Sequence, residues 1–269
     1  MTKKDMLVKD GKITVRFLPR IHPEDSSFGA NYSERAKQIG KYFRTEYEQL
    51  RASVEVPSWF REQLFYNYIY KGPVLEWYMR VKVRLEKDYQ QFHELLPLQG
   101  NLLDIGCGYG FMSYMLHFAA RDRNITGIDY DEEKTVVAGH CFSKNERINF
   151  KHADVMNFAF GKYDGIILAD MLHYLAPEQQ KQIIGKCMES LNEGGTLIIR
   201  DGDRDLAEKH KGTRLTEFFS TKLFGFNKTT GSGRMISDIA AAYNMECRRI
   251  DETKYTSNVI FVIQNRKSV

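Results

Sequence analysis

The spacing of apolar residues changes character near residue 98. Before it the spacing is helical. In 33–53, Ile39, Tyr42, Phe43, Tyr47 and Leu50 recur at three- and four-residue intervals, which predicts an amphipathic helix. Residues 57–72 open on Pro57 and close on Gly72, start and stop signals for a second helix. Residues 73–96 read as one long third helix. A separate alternation in 11–21 (Ile13, Val15, Phe17) predicts a strand.

Beyond residue 98, short apolar runs alternate with amphipathic stretches. Strands are predicted at 101–106, 124–129, 148–154, 163–170 and 194–201, and helices at 111–121, 131–142 and 177–192. That alternation predicts an α/β fold, a mostly parallel, doubly wound sheet with helices on both faces. The end differs: a helix at 235–244 leads into strands at 245–252 and 258–265, close enough to pair as an antiparallel terminal hairpin, with "TKYTS" as its turn. The chain therefore reads as an N-terminal strand and helical extension, 1–97, followed by a core, 98–269. Residues 203–232 interrupt the alternation. A segment of that length in a compact domain usually carries function, and its place after the fifth strand suggests a cover for the acceptor side of a site.

Composition narrows the class. With 269 residues and 42% hydrophobic content the chain can bury a substantial core. No run approaches the roughly 18–20 apolar residues of a membrane helix. The start "MTKKDMLVKDGK" lacks a signal-peptide core. Four scattered cysteines without a CxxC pair suit a reduced, cytoplasmic protein with no metal site. The net charge is +4, and residues 1–100 hold 17 Lys+Arg against 13 Asp+Glu. That excess suits a solvated helical face, a phosphate-bearing acyl carrier or a peripheral contact with an anionic membrane. No nucleic-acid motif is present.

The chemistry concentrates in "LLDIGCGYG", residues 102–110. Gly106, Gly108 and Gly110 follow a strand and precede a helix. Such a turn offers unpaired N–H groups and the positive end of a helix dipole, and glycine lets a ligand lie against bare main chain. The spacing is G-x-G-x-G, not the G-x-G-x-x-G of nicotinamide-binding turns. Asp104 lies inside the strand and, if buried, needs a partner such as a ligand ammonium. The next strand ends in Asp129, placed to accept hydrogen bonds from two ribose hydroxyls. The alternative for Asp129 is a plain N-cap of the following helix, a place that Asp131 can take instead. Asp154 ends the third strand, where it can also cap a turn. Asp170 and His173 follow the fourth, where His173 can orient the loop or take a proton. Open parallel sheets bind ligands at this edge.

Taken together, "LLDIGCGYG", "GIDYD", "HADV", "YDGIILADMLHYL" and "LNEGGTLIIRDGD" resemble the class I S-adenosylmethionine-dependent methyltransferases, across roughly residues 98–265. The resemblance implies a Rossmann-like, seven-stranded sheet with its last strand antiparallel, and S-adenosyl-L-methionine as cofactor. It implies that Gly106, Gly108 and Gly110 approach the methionine and ribose, that Asp104 and Asp170 lie near the methionine, and that Asp129 binds the ribose. It places Tyr130 beside the adenine, Asp154 on the adenine amino group and Val155 next to it. Methyl transfer to oxygen or carbon of a small apolar, aromatic or lipid-like acceptor is the expected reaction. His173, Asp201 and His210 are candidates for moving the acceptor proton. A non-catalytic cofactor-binding scaffold and an aminopropyl-type transferase are the alternatives. "GKITVRFLPRI" with the helix after it looks like the tail of a glycerolphosphate-type acyltransferase, as in bacterial acyltransferase–methyltransferase fusions, though "HPEDSS" lacks the His-x4-Asp spacing of acyl transfer.

Overall fold

The computed structural model describes residues 13–86, 88–202, 233–250 and 258–265. The predicted insertion 203–232, with His210, and the "TKYTS" turn lie outside the described residues. The chain forms two units, Met1–Glu55 and Val56–Val269.

The first unit is built around α1, Tyr32–Val54. Its N-cap is Asn31, whose side chain accepts the Glu34 N–H at 3.0 Å, while Glu34 reaches back to the Ala30 N–H at 3.2 Å. Both bonds satisfy donors that a helix start leaves open. The strand expected at 11–21 does not form among the described residues 13–21. Ile13, Val15 and Phe17 are exposed, and a two-residue alternation makes a strand only when a neighbour pairs with it.

The second unit extends further toward the N-terminus than the predicted core: the division falls after Glu55, not at residue 97. The reason is packing. After a 3-10 turn at Pro57–Phe60 come α2 (Arg61–Tyr66), α3 (Pro73–Leu85) and α4 (Tyr89–Leu95). Phe60, Leu64, Tyr68, Met79, Val83 and Phe92 share one apolar cluster with Leu102, Ile125, Ile167 and Ile198 of the sheet.

The remaining elements are β1 (Gln99–Ile105), α5 (Phe111–Ala119), β2 (Asp122–Asp129), α6 (Glu132–Gly139), β3 (Ile148–His152), β4 (Tyr163–Ala169), α7 (Pro177–Glu189), β5 (Leu191–Gly202), α8 (Gly233–Ala242), β6 (Met245–Ile250) and β7 (Asn258–Asn265). The seven strands lie in the order β3-β2-β1-β4-β5-β7-β6. β1 to β5 are parallel, and β7 runs antiparallel to both β5 and β6. The predicted sheet and terminal hairpin thus form, with β7 inserted between β5 and β6. Alternate residues of β1 serve the two faces: Leu102 joins the cluster under α2–α5, and Leu103 and Ile105 join a second cluster with Ile183, Ile184 and Met188 of α7 and Ile236 and Ala240 of α8.

The predicted third helix, 73–96, is broken into α3 and α4. Glu86 at the break is extended (φ −72°, ψ 112°), and both Glu86 and Asp88 bond the Arg200 guanidinium at 2.7 and 2.9 Å. An ion pair with a distant strand overrides the local helical pattern, which no periodicity reports.

Candidate active site

The topology brings the C-terminal ends of β1, β2, β3 and β4 to one sheet edge. The turn after β1 is drawn onto β2: the N–H groups of Gly106 and Cys107 both donate to the Ile128 carbonyl, at 2.8 and 3.0 Å. Gly106, Gly108 and Gly110 have φ of +77°, +54° and +79°, the left-handed region that favours glycine. Their surroundings differ. A Cβ on Gly106 would meet Met171 at 2.9 Å, and one on Gly110 would meet Phe150 at 2.6 Å. Those two glycines are demanded by the protein's own packing. A Cβ on Gly108 would meet only Lys134 Cδ, at 4.0 Å. Gly108 is the position where bare main chain faces open space. The helix that follows, α5, starts without a side-chain cap.

Asp129 is fixed beside that opening. One of its oxygens accepts the Gly108 N–H at 2.7 Å and the other the Asp131 N–H at 2.9 Å. The α6 cap is therefore Asp131, which accepts the Lys134 N–H at 3.2 Å, and Asp129 stays half-buried at the strand tip. Each Asp129 oxygen keeps a lone pair for a ligand. Tyr130 is exposed, with its ring 6.3 Å from that of His152.

Asp104 is buried inside β1 and accepts the Ser113 hydroxyl at 2.6 Å. Burial pushes its carboxyl up to about 6, against the Ser113 hydrogen bond and with the nearby Asp129 charge assisting. Asp154 is exposed, and its oxygens accept the Met156 N–H at 2.9 Å and the Asn157 side-chain amide at 2.8 Å. These bonds are those of a turn cap. Val155 is buried in the core cluster beneath the sheet, so its side chain serves packing.

At β4 the chain turns sharply. Asp170 has φ +55° and is paired with Arg200 through both carboxylate oxygens, at 3.2 and 2.5 Å. Burial works against its ionisation, but Arg200, backed by Lys82, more than offsets this and holds the carboxyl below its usual value. A 3-10 turn, Leu172–Tyr174, then delivers His173. Its Nδ1 lies 3.0 Å from Asp201 Oδ1, and its backbone N–H donates to Asp201 Oδ2 at 3.2 Å. Two of the three candidate proton-moving residues therefore meet.

Residues 102–195 match the family described as Methyltransferase domain. This stretch is a methyltransferase domain. It carries the glycine turn, Asp129, Asp154, Asp170 and His173, whereas Asp201 lies just beyond it. Over 106 residues the chain is 24% identical to a carboxy-S-adenosyl-L-methionine synthase of Campylobacter lari, covering 39% of this chain and 45% of that one. Over 83 residues it is 34% identical to the putative methyltransferase YqeM of Bacillus subtilis, covering 30% of this chain and 33% of that one. The chain thus spans less than half the length of these curated relatives. Among solved structures, the magnesium protoporphyrin IX methyltransferase of Synechocystis, with bound SAH, aligns at a TM-score of 0.54 with 17% identity, over 81% of this chain and 99% of that one. That likeness concerns the fold, and it extends on both sides of the matched domain.

The sequence reading missed the cluster around Arg200. Glu86, Asp88 and Asp170 all bond this buried guanidinium, which also lies 5.5 Å from the Phe92 ring centre. One signal was present: an arginine and an aspartate end the apolar run "GGTLIIRD", and a charge closing a buried strand needs a partner. Ser113, the partner of Asp104, carried no signal beyond its place in a helix.

Proposed function

We propose that the chain binds S-adenosyl-L-methionine at the Gly108–Asp129 edge and transfers its methyl group to a small apolar or aromatic acceptor. The observation that carries this reading is the Asp129–Gly108 bond beside the open face of Gly108. It supports a ribose-bearing ligand, since the carboxylate is oriented by backbone donors yet keeps acceptor capacity. Asp104 would take the ligand ammonium, and Tyr130 and Asp154 would flank the base.

The cofactor, when bound, supplies a methyl carbon made electrophilic by sulfonium. The protein then contributes orientation, exclusion of water and proton handling. In the neutral ring with Nδ1–H donated to Asp201, Nε2 carries the lone pair that can take a proton from an acceptor hydroxyl. This arrangement favours an oxygen acceptor over one that needs no base. Aminopropyl transfer is less well supported, because Glu86, Asp88 and Asp170 are turned onto Arg200 and not left for a polyamine.

Calorimetric titration with S-adenosylhomocysteine tests the reading. Binding by the wild type and a loss of about tenfold or more in Asp129→Ala are expected. Absence of binding at millimolar ligand would overturn it. Transfer of a labelled methyl group to a component of cell extract separates an enzyme from a cofactor-binding scaffold.

A further inference from the structure

We propose that the outer face of α3 docks on an anionic lipid surface. Val74, Trp77, Tyr78, Val81 and Leu85 follow i, i+3, i+4, i+7 and i+11 spacing, so they form one stripe along the helix. They are 80%, 64%, 42%, 37% and 70% exposed. The core-facing side of α3 is apolar as well, with Met79 and Val83 fully buried. Among the described residues the second unit therefore uses only one of the two apolar faces in its core, and the residues of the other remain exposed. Contiguous exposed apolar surface of this kind marks an interaction site.

Charge and residue type select the partner. Arg84 is exposed beside Leu85, and Lys82 flanks the stripe. The carboxylate within α3, Glu76, is bonded to Arg80 at 2.9 Å, and Glu86 just beyond it is bonded to Arg200. The face is thus apolar and aromatic with a cationic margin. Tryptophan and tyrosine suit the boundary between headgroups and acyl chains, and basic residues suit anionic headgroups. A second copy of this face would set like charges against each other. The Tyr78 ring lies 6.2 Å from that of Tyr109 in the glycine turn, so a docked α3 places the site edge next to the lipid.

Docking does not depend on methyl transfer, and its test is separate. The full chain is sedimented with vesicles of phosphatidylcholine alone, and with vesicles in which about a third of the lipid is phosphatidylglycerol. Association with the anionic vesicles is expected, weakened in roughly 0.5 M salt. Trp77→Ser/Leu85→Ser and Arg84→Glu should each weaken it, the double variant by about tenfold or more. Brominated lipid should quench tryptophan emission in the wild type but not in Trp77→Phe. Unchanged melting curves and S-adenosylhomocysteine binding in the variants would show that only docking was lost. The proposal is overturned if anionic vesicles do not bind, or if the variants bind as the wild type does. It is equally overturned if Trp77 is shielded from acrylamide in the free chain, or if the chain is a dimer that Trp77→Ser dissolves, since the stripe is then covered by protein.

Discussion

Asp201 holds His173 through two bonds, accepting the ring Nδ1–H at 3.0 Å with one oxygen and the backbone N–H at 3.2 Å with the other. The two residues come from the ends of β4 and β5, 28 positions apart in sequence. The two hydrogen bonds fix the ring orientation and, in the neutral ring, direct the Nε2 lone pair away from Asp201. If Nε2 takes the acceptor proton, His173→Ala should lower the methyl-transfer rate by about 10²-fold or more while S-adenosylhomocysteine affinity stays near the wild-type value. Asp201→Asn should give a smaller loss of the same kind, read as turnover of labelled cofactor beside a calorimetric binding curve.

The three glycines should separate into two classes. Gly110→Ala places a Cβ 2.6 Å from Phe150 Cζ at φ +79°, so it should destabilise the fold by about 1–2 kcal/mol from backbone strain alone, with the clash added. Gly108→Ala meets open space, so its cost should be confined to strain of about 1 kcal/mol, while donor affinity falls because the methyl occupies the ligand's side of the turn. Urea midpoints paired with ligand titrations distinguish the two.

Asp104 should make donor binding depend on pH. Burial raises its folded carboxyl from 3.8 to about 6. A raised folded value favours the protonated form, so this contribution to the stability of the ligand-free protein is present below about 4 and lost as pH rises through about 6. A ligand ammonium favours the ionised form. Affinity for S-adenosylhomocysteine should therefore rise between pH 5 and 7, with proton release on binding, and Asp104→Asn should flatten that profile. Calorimetry in two buffers of different ionisation enthalpy measures the proton directly.

Arg123 is a fully buried cation whose hydrogen bonds go to the carbonyls of Pro97, Leu116, His93 and Leu96 and to His93 Nδ1. Arg123→Met should cost about 3 kcal/mol or more, since it strands these acceptors in the core. The bond from Arg123 requires an unprotonated His93 Nδ1. Burial and the Arg123 charge lower the His93 imidazole from 6.5 to about 4. A depressed histidine stabilises the fold above about 6.5 and loses that contribution as pH falls toward about 4. The midpoint for unfolding should drop across that window, and His93→Gln should reduce the drop.

The sequence by itself determined the αβ alternation, the strand tips that carry Asp129, Asp154 and Asp170, and the antiparallel end. Each is a local matter of period, strand length and turn chemistry, and local rules survive folding. It could not rank the acids at the sheet edge. Asp154 turned out to hold a turn, Asp129 a glycine N–H, and Asp170 an arginine, because a carboxylate's role is set by which donors folding brings within about 3 Å. Only the tertiary structure decided that 73–96 breaks at Glu86, that helices from residue 57 onward belong to the sheet's core, and that His173 meets Asp201. Those outcomes turn on pairings between residues far apart in sequence, such as Arg200 with Glu86, where the cost of leaving a buried charge unpaired outweighs the preference of a short helix to continue.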